Sequence, residues 1–360
     1  MISDEPASTT TAEPTPRVRR ALRCGDPAVY EFPTEDGVML RLSRFQGGSK
    51  GPVVLSPGFG TSSISFTIDT VDTNLPEYLY EHGYDVWVLD YRASPLLPSA
   101  ETQFTLDDIA RYDLPAVVDT VRAESGAESV QFVAHCVGSL TLLMGLGLGL
   151  AGVRSAVSSQ LTLHPHSGAL NQLRAGIFAA ELIDAIGVDV LTTDIDDDPS
   201  WLDHLYDKAL EFYPEGDEPC DRPFCRRVLF TFGESYEHDQ LNDTTHDHIA
   251  EAFGEANITT LRHMTKIIRA RHAVSMDGEH DYLDDVDNLR LPIAFIHGER
   301  NRLFLPAGSA ETYEFLREHN GPELYTRHVI PDYAHMDCFI GKDAARDVYP
   351  LVMEELDRFN

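Results

Sequence analysis

The chemistry in this chain is best sought around Cys136, in the string SVQFVAHCVGSLTLLMG. An apolar strand, Val130 to Val133, runs into Ala134-His135-Cys136-Val137-Gly138 and then into an apolar helical stretch. A strand, a sharp turn bearing a nucleophile and a helix form a nucleophile elbow, here with cysteine in place of serine and alanine in place of the first glycine. A thiolate forms a thioester acyl-enzyme, a good donor to water, an alcohol, an amine or a carbanion. The residue points to acyl chemistry and leaves the acceptor open.

A nucleophile needs a base, and the base needs an orienting partner. His335 follows the strand YTRHVI and the loop PDYAH, so the elbow comes first in the chain and the histidine last. The third member is sought after the strand that ends near His297, and there the chain has Asn301 where an aspartate would be expected. An asparagine carbonyl can accept the imidazole Nδ1–H and hold the tautomer without supplying a charge. Glu299, Asp337 and Asp281 are the alternatives. The backbone N–H of Val137, at a helix start, and that of Phe59, in PGFG after the first long strand, are the expected oxyanion donors. Gly58 and Gly60 allow the close approach. The helix field and His335 are expected to lower the Cys136 pKa.

The elements that must position these residues alternate between strand and helix. A hairpin surrounds Glu35-Asp36-Gly37. Strands are expected at Pro52–Ser56, Tyr84–Leu89, Val130–Val133, Ala156–Leu163, Pro292–His297 and Tyr325–Ile330. Helices are expected at Leu75–His82, Thr105–Ala123 despite Pro115, Gly308–Glu318 and Ala344–Phe359. This rhythm gives an α/β fold with a mostly parallel central sheet. It breaks between residues 168 and 287, a largely helical stretch with an acidic block at Asp194–Asp198. Its Trp201, Phe212, Tyr213, Phe224, Phe230, Phe232 and Phe253 are enough to line an apolar pocket. An insertion between core strands reads as a cap, because ligands bind at the C-terminal edge of such a sheet. The division is then a disordered acidic tail (1–20), core (21–167), cap (168–287) and core again (288–360).

The chain has 360 residues, 42% of them hydrophobic, which is ample for a large core. Asp and Glu number 59 against 28 Lys and Arg, a formal charge of −31. Such a surface repels nucleic acid and anionic membranes; a high-salt cytoplasm and an ordinary acidic protein account for it equally well. Five cysteines form no disulfide framework. Cys220 and Cys225, in PCDRPFC, lack a following ligand pair at zinc-finger spacing, and a set of His238, Asp239, His246 and His248 has nothing to fix its geometry. No metal is expected. His135 is expected to pack under the elbow rather than line a pocket, and Asn242 and His246 to face the pocket or close the cap. The apolar run Leu140–Gly152 is too short to span a bilayer, and no secretory signal opens the chain, so a soluble cytoplasmic protein is the default.

The strings SPGFG, AHCVGS, FTFGESYEHDQLNDTTHDHI, HGERNRLFLP and YAHMDCFIGKDAARDVYP carry a resemblance to the α/β-hydrolase superfamily over residues 30–360. The chain more closely resembles the hydrolase-like module found beside or fused to cholesterol-oxidase-like flavoproteins. That resemblance implies a nucleophile at Cys136, a base at His335, a polar third member at Asn301 and a hydrophobic acyl or lipid-like substrate. There is no glycine-rich dinucleotide fingerprint, so neither a flavin nor any other cofactor is expected. Polyester synthases and thioesterase-like cyclases of this fold also use a cysteine, an analogy at the level of the fold.

The leading expectation is a cysteine-dependent hydrolase of a hydrophobic acyl ester or thioester, carrier-bound chains included. Acyl transfer, or condensation and cyclisation, through the same intermediate stands close behind. A non-catalytic ligand-binding member of the fold is the competing class.

Overall fold

The computed structural model describes residues 17–178, 189–193, 207–208, 210, 213–214, 220 and 222–360. An eight-stranded sheet is built from β1 (Ala28–Pro33), β2 (Met39–Phe45), β3 (Pro52–Ser56), β4 (Asp85–Asp90), β5 (Val130–His135), β6 (Val153–Ser159), β9 (Ile293–Gly298) and β10 (Tyr325–Ile330). Its order is β1-β2-β4-β3-β5-β6-β9-β10. The hairpin β1–β2 joins β4 antiparallel, and every later neighbour is parallel. Two short strands, β7 (Val190–Leu191) and β8 (Ala256–Asn257), pair apart from the sheet. β3, β4, β5 and β9 are buried at every position, because helices cover both faces of the sheet. The chain runs from β3 outward to β4 and back to β5, so the sheet order reverses between β3 and β5, where the strand ends open a crevice.

The helix Val137–Gly147 lies in that crevice and is buried throughout, as its apolar sequence requires. The helical stretch expected over Thr105–Ala123 runs from Leu106 to Ser125, with one wider π-helical turn at Ile109–Asp113. Pro115 cannot donate to the carbonyl four residues back, and the ladder re-registers just ahead of it. The expected last helix is two pieces, Ala344–Asp347 and Tyr349–Asp357, parted at Val348 just before Pro350. β6 stops at Ser159, short of the expected Leu163, because Gln160 takes a left-handed φ of 72°.

The cap fills the gap between β6 and β9. Helix Ala169–Phe178 packs on helix Ile258–Ala270, and the cap also carries helices Pro223–Thr231 and Asp243–His248. The acidic block at 194–198, Trp201 and Phe212 lie outside the described residues, as does most of the expected tail. Arg17, within that expected tail, holds Asp69 at 2.6 Å and Glu251 of the cap at 3.0 Å, and Arg20 holds the buried Glu77 at 2.6 Å. Among the described residues no helix is long and apolar enough to cross a membrane.

Candidate active site

Cys136 ends β5 with φ 54° and ψ −123°, a conformation that L-residues rarely adopt and that turns its side chain out at the start of helix Val137–Gly147. The turn exists because Gly138 has no side chain. A Cβ there would lie 2.4 Å from the Pro57 carbonyl oxygen and 2.9 Å from that of Ser56. The loop after β3 is held from two sides. The Asp90 carboxylate accepts the Ser63 N–H at 2.8 Å and the Ser63 hydroxyl at 2.9 Å, and Thr61 donates to the Gly58 carbonyl at 3.0 Å. From the cap, Gly254 N–H donates to Gly60 O at 3.0 Å, and Ser62 N–H donates to Ala252 O at 3.1 Å. The amides of Phe59 and Val137 thereby both point at the Cys136 sulfur.

The structure brings together all five residues singled out from the sequence. Cys136, Phe59, Val137 and His335 line one pocket with Phe232, Phe253, Leu261 and Met264, enclosing about 50 Å³ and walled mainly by apolar side chains. Asn301 lies behind His335, its Nδ2 3.0 Å from His335 Nδ1. The other third-member candidates are placed elsewhere. Glu299 is exposed, Asp281 pairs with His272 at 3.0 Å, and Asp337 accepts the Ala334 N–H at 2.7 Å.

The Asn301 contact runs opposite to the expected direction. Asn301 Oδ1 accepts the Phe304 N–H at 3.0 Å, and Nδ2 donates to Gln160 Oε1 at 2.9 Å. Gln160 Oε1 in turn accepts the Gly298 N–H at 3.0 Å. A backbone N–H can only donate, so these two backbone groups fix both amides, and Asn301 presents N–H to His335 Nδ1. The neutral ring then carries its proton on Nε2. An elbow base needs Nδ1–H and a free Nε2.

Electrostatics point the same way. Burial pushes the Cys136 thiol up to about 12, overriding the Val137 and Phe59 amides and the Arg174 cation that favour the thiolate. The expected lowering of its pKa is therefore corrected: desolvation outweighs the helix field. Burial, with His135, His297 and Arg174 nearby, holds His335 well below its ordinary value. His135 both packs and lines the pocket. Its ring centroid lies 4.7 Å from that of His335 and 5.2 Å from that of Phe339, and burial lowers it to about 3.

Two participants escaped the sequence reading. Gln160 falls within the expected strand Ala156–Leu163, and a non-glycine residue at a positive φ of 72° leaves no sequence signal. Arg174 is buried in the pocket wall, donates to the Thr231 carbonyl at 2.9 Å and to Asn171, and is lowered by burial to about 10. Its place on an amphipathic helix gave no reason to single it out. Asn242 caps helix Asp243–His248 through the Thr245 N–H at 2.7 Å and donates to the Thr70 carbonyl at 2.9 Å, which closes cap on core.

The fold is that of the α/β-hydrolases. A family described as "alpha/beta hydrolase fold" matches residues 51–181. Lipase lipl-1 of Caenorhabditis elegans is 23% identical over 94% of this chain and 90% of its own length. Human gastric triacylglycerol lipase is 31% identical over 31% of this chain and 32% of its own length. Among solved structures, a carboxyl esterase from Bacillus coagulans superposes with a TM-score of 0.60 at 13% identity, covering 92% of this chain and 98% of that one. The monoacylglycerol lipase of Paleococcus ferrophilus gives 0.58 at 14% identity, covering 89% of this chain and 99% of that one.

These relatives overturn two expectations. The chain is similar to lipases, over most of its length or over about a third of it, and not to a cysteine-nucleophile module associated with flavoproteins. The expectation of a cysteine-dependent mechanism, and with it of thioesterase, acyltransferase and condensing chemistry, is corrected: the proteins this chain is similar to are lipases and esterases. Two local features bear on the same point: desolvation pushes the Cys136 thiol up, and Asn301 Nδ2 faces His335 Nδ1.

Proposed function

We propose that this chain hydrolyses hydrophobic acyl esters on the plan of the serine-type lipases and esterases. The observation that carries the reading is the convergence of the Phe59 and Val137 amides on the elbow residue, inside an apolar pocket that also holds His335. Two fixed N–H donors in an apolar pocket stabilise the oxygen of an ester carbonyl as it becomes negative, commonly the largest single catalytic term. The acyl chain lies along Phe232, Phe253, Leu261 and Met264. Cys136 sits under the carbonyl carbon; a water oxygen bonds to that carbon as its bond to the alcohol oxygen breaks, and one water proton passes to the departing oxygen. His335, with Nε2–H, donates a hydrogen bond to the leaving oxygen, and Asn301 holds the ring in that state.

The test is hydrolysis by the full chain of a p-nitrophenyl ester series from short to long acyl groups, with acyl thioesters, free and carrier-bound, as the competing class. Ester turnover that favours the longer chains and falls in His335→Ala supports the reading. Esters left at the His335→Ala level while thioesters are consumed would overturn it. Cys136→Ser separates the two plans: the serine-type plan requires that ester hydrolysis persist with a hydroxyl at this position, and complete loss would return the chemistry to the thiol.

A further inference from the structure

The cap brings together four side chains that the reaction does not use. Cys220, Cys225, His238 and His246 place one ligating atom each within 4.8 Å of all the others. They come from separate pieces of chain: Cys220 precedes helix Pro223–Thr231, Cys225 lies in its first turn, His238 opens the short helical turn His238–Gln240, and His246 lies on helix Asp243–His248. Both cysteines are free thiols. His246 Nε2 lies 3.2 Å from the Cys225 sulfur and 3.7 Å from that of Cys220. The His238 and His246 rings meet edge to face, with centroids 4.9 Å apart at 85°.

We infer that these four residues form a structural zinc site that clips the cap together. Tetrahedral zinc, with Zn–S of about 2.3 Å and Zn–N of about 2.0–2.1 Å, sets a sulfur-to-nitrogen separation of about 3.5–3.6 Å. The two observed separations bracket that value, so a cation fits with shifts of a few tenths of an ångström. Two thiolates and two imidazoles make a closed ligand set with no open position, the pattern of a structural rather than a catalytic zinc. On binding, each thiol releases its proton to solvent and zinc takes a lone pair from each sulfur and each ring nitrogen; no electron is transferred. The Tyr236 hydroxyl, 3.3 Å from the Cys225 sulfur, is placed to donate to the thiolate, and Arg222, paired with Asp247 at 2.5 Å, adds positive charge beside it.

The sequence hid this set because its halves are unlike a zinc finger. Four residues separate the cysteines, but seven separate the histidines, so on one helix the two rings would lie about 12 Å apart along the axis, too far to share an ion. The clip also bears on the pocket. Helix Pro223–Thr231 runs from Cys225 to the pocket residues Thr231 and Phe232. Ser235, between the cluster and the pocket, accepts the Met336 N–H at 2.8 Å, next to His335. The zinc inference stands whatever the reaction is, since none of its ligands belongs to the reaction centre.

The test is the metal content of the full chain, expressed with zinc, kept reduced and passed through a chelating column. About one zinc per chain is expected. Replacement by cobalt should give the visible bands of tetrahedral Co(II) together with thiolate-to-cobalt charge transfer. Cys225→Ser and His246→Asn should lose the metal, while Cys24→Ser and His248→Asn keep it. The wild-type cobalt spectrum reads sulfur ligation directly, so the proposal is testable even where a ligand variant does not fold. Less than about a tenth of an equivalent of zinc in the reduced wild type would overturn it. So would undiminished zinc in Cys225→Ser, or a cobalt spectrum without sulfur charge transfer.

Discussion

Replacing Asn301 by aspartate should convert the ring of His335 from donor to base. Asn301 gives its two Nδ2 protons to His335 Nδ1 at 3.0 Å and Gln160 Oε1 at 2.9 Å, while Oδ1 takes the Phe304 N–H at 3.0 Å. In Asn301→Asp one oxygen keeps the Phe304 N–H, and the other faces Nδ1. The ring then moves its proton to Nδ1, leaving Nε2 free to accept. A carboxylate at this distance also favours the imidazolium, so the His335 pKa rises from its depressed value. The change carries a stability cost. Gln160 must turn its amide to donate to the new carboxylate, and the Gly298 N–H, now 3.0 Å from Gln160 Oε1, loses its acceptor. A buried donor left unpaired costs about 1–3 kcal/mol. In a triad protease, the reverse exchange lowers kcat about 10⁴-fold through the wrong tautomer. A site not refined for aspartate should recover part of that, about 10²-fold or more. The assay compares p-nitrophenyl butyrate hydrolysis by Cys136→Ser with that by Cys136→Ser/Asn301→Asp, with the imidazole ¹⁵N shifts of His335 read on the same samples. A ring already carrying Nδ1–H in the Asn301 protein refutes the network argument. A ring that switches while kcat stays flat refutes the base role expected of the switched ring in the Cys136→Ser background.

Gly138→Ala should unfold at lower urea, by about 1–3 kcal/mol, since its Cβ would meet backbone oxygens 2.4 and 2.9 Å away that cannot step aside. Phe232→Ala removes a ring that meets Phe59 edge to face and Phe253 at a tilt, with centroids 6.1 and 5.4 Å apart, and should shift kcat/KM toward longer or bulkier acyl groups in a chain-length series. Asp337 is buried and raised to about 7, so the folded state binds a proton that the unfolded state releases above about 4. Its contribution is therefore complete at low pH and lost as pH rises through about 7. Between pH 7 and 5 the wild type should gain about 2 kcal/mol relative to Asp337→Asn in urea titrations, and parallel pH profiles would contradict this.

Much of the fold was legible because its signals are local. Runs such as PVVLS and YDVWVL are apolar on both faces, and the elbow string carries strand, turn and helix in one stretch. Asn301 was legible by position but not by role. Its direction of donation depends on the Phe304 N–H and on Gln160, whose own orientation is set by the Gly298 N–H. Such long-range bonds leave no periodicity. The acidity of Cys136 was misjudged because a helix terminus and a histidine can be seen in a sequence, whereas the depth of a pocket cannot. The cap was hardest to read, because its short segments make ligand sets only after they meet.

The site as a whole is tuned toward neutrality. Burial lowers His135 to about 3 and His297 to about 4, carries His335 well down and lifts the Cys136 thiol to about 12. At neutral pH these groups are uncharged. Arg174 keeps its charge, since about 10 is still well above neutral. A pocket of mainly apolar walls and few charged groups favours a ligand that is itself uncharged when bound and becomes negative only at its reacting oxygen. An ester carbonyl has that property. Its developing charge appears where the Phe59 and Val137 amides already point, with the Arg174 cation in the wall of the same pocket, so their stabilisation grows along the reaction and is spent on the transition state rather than on binding.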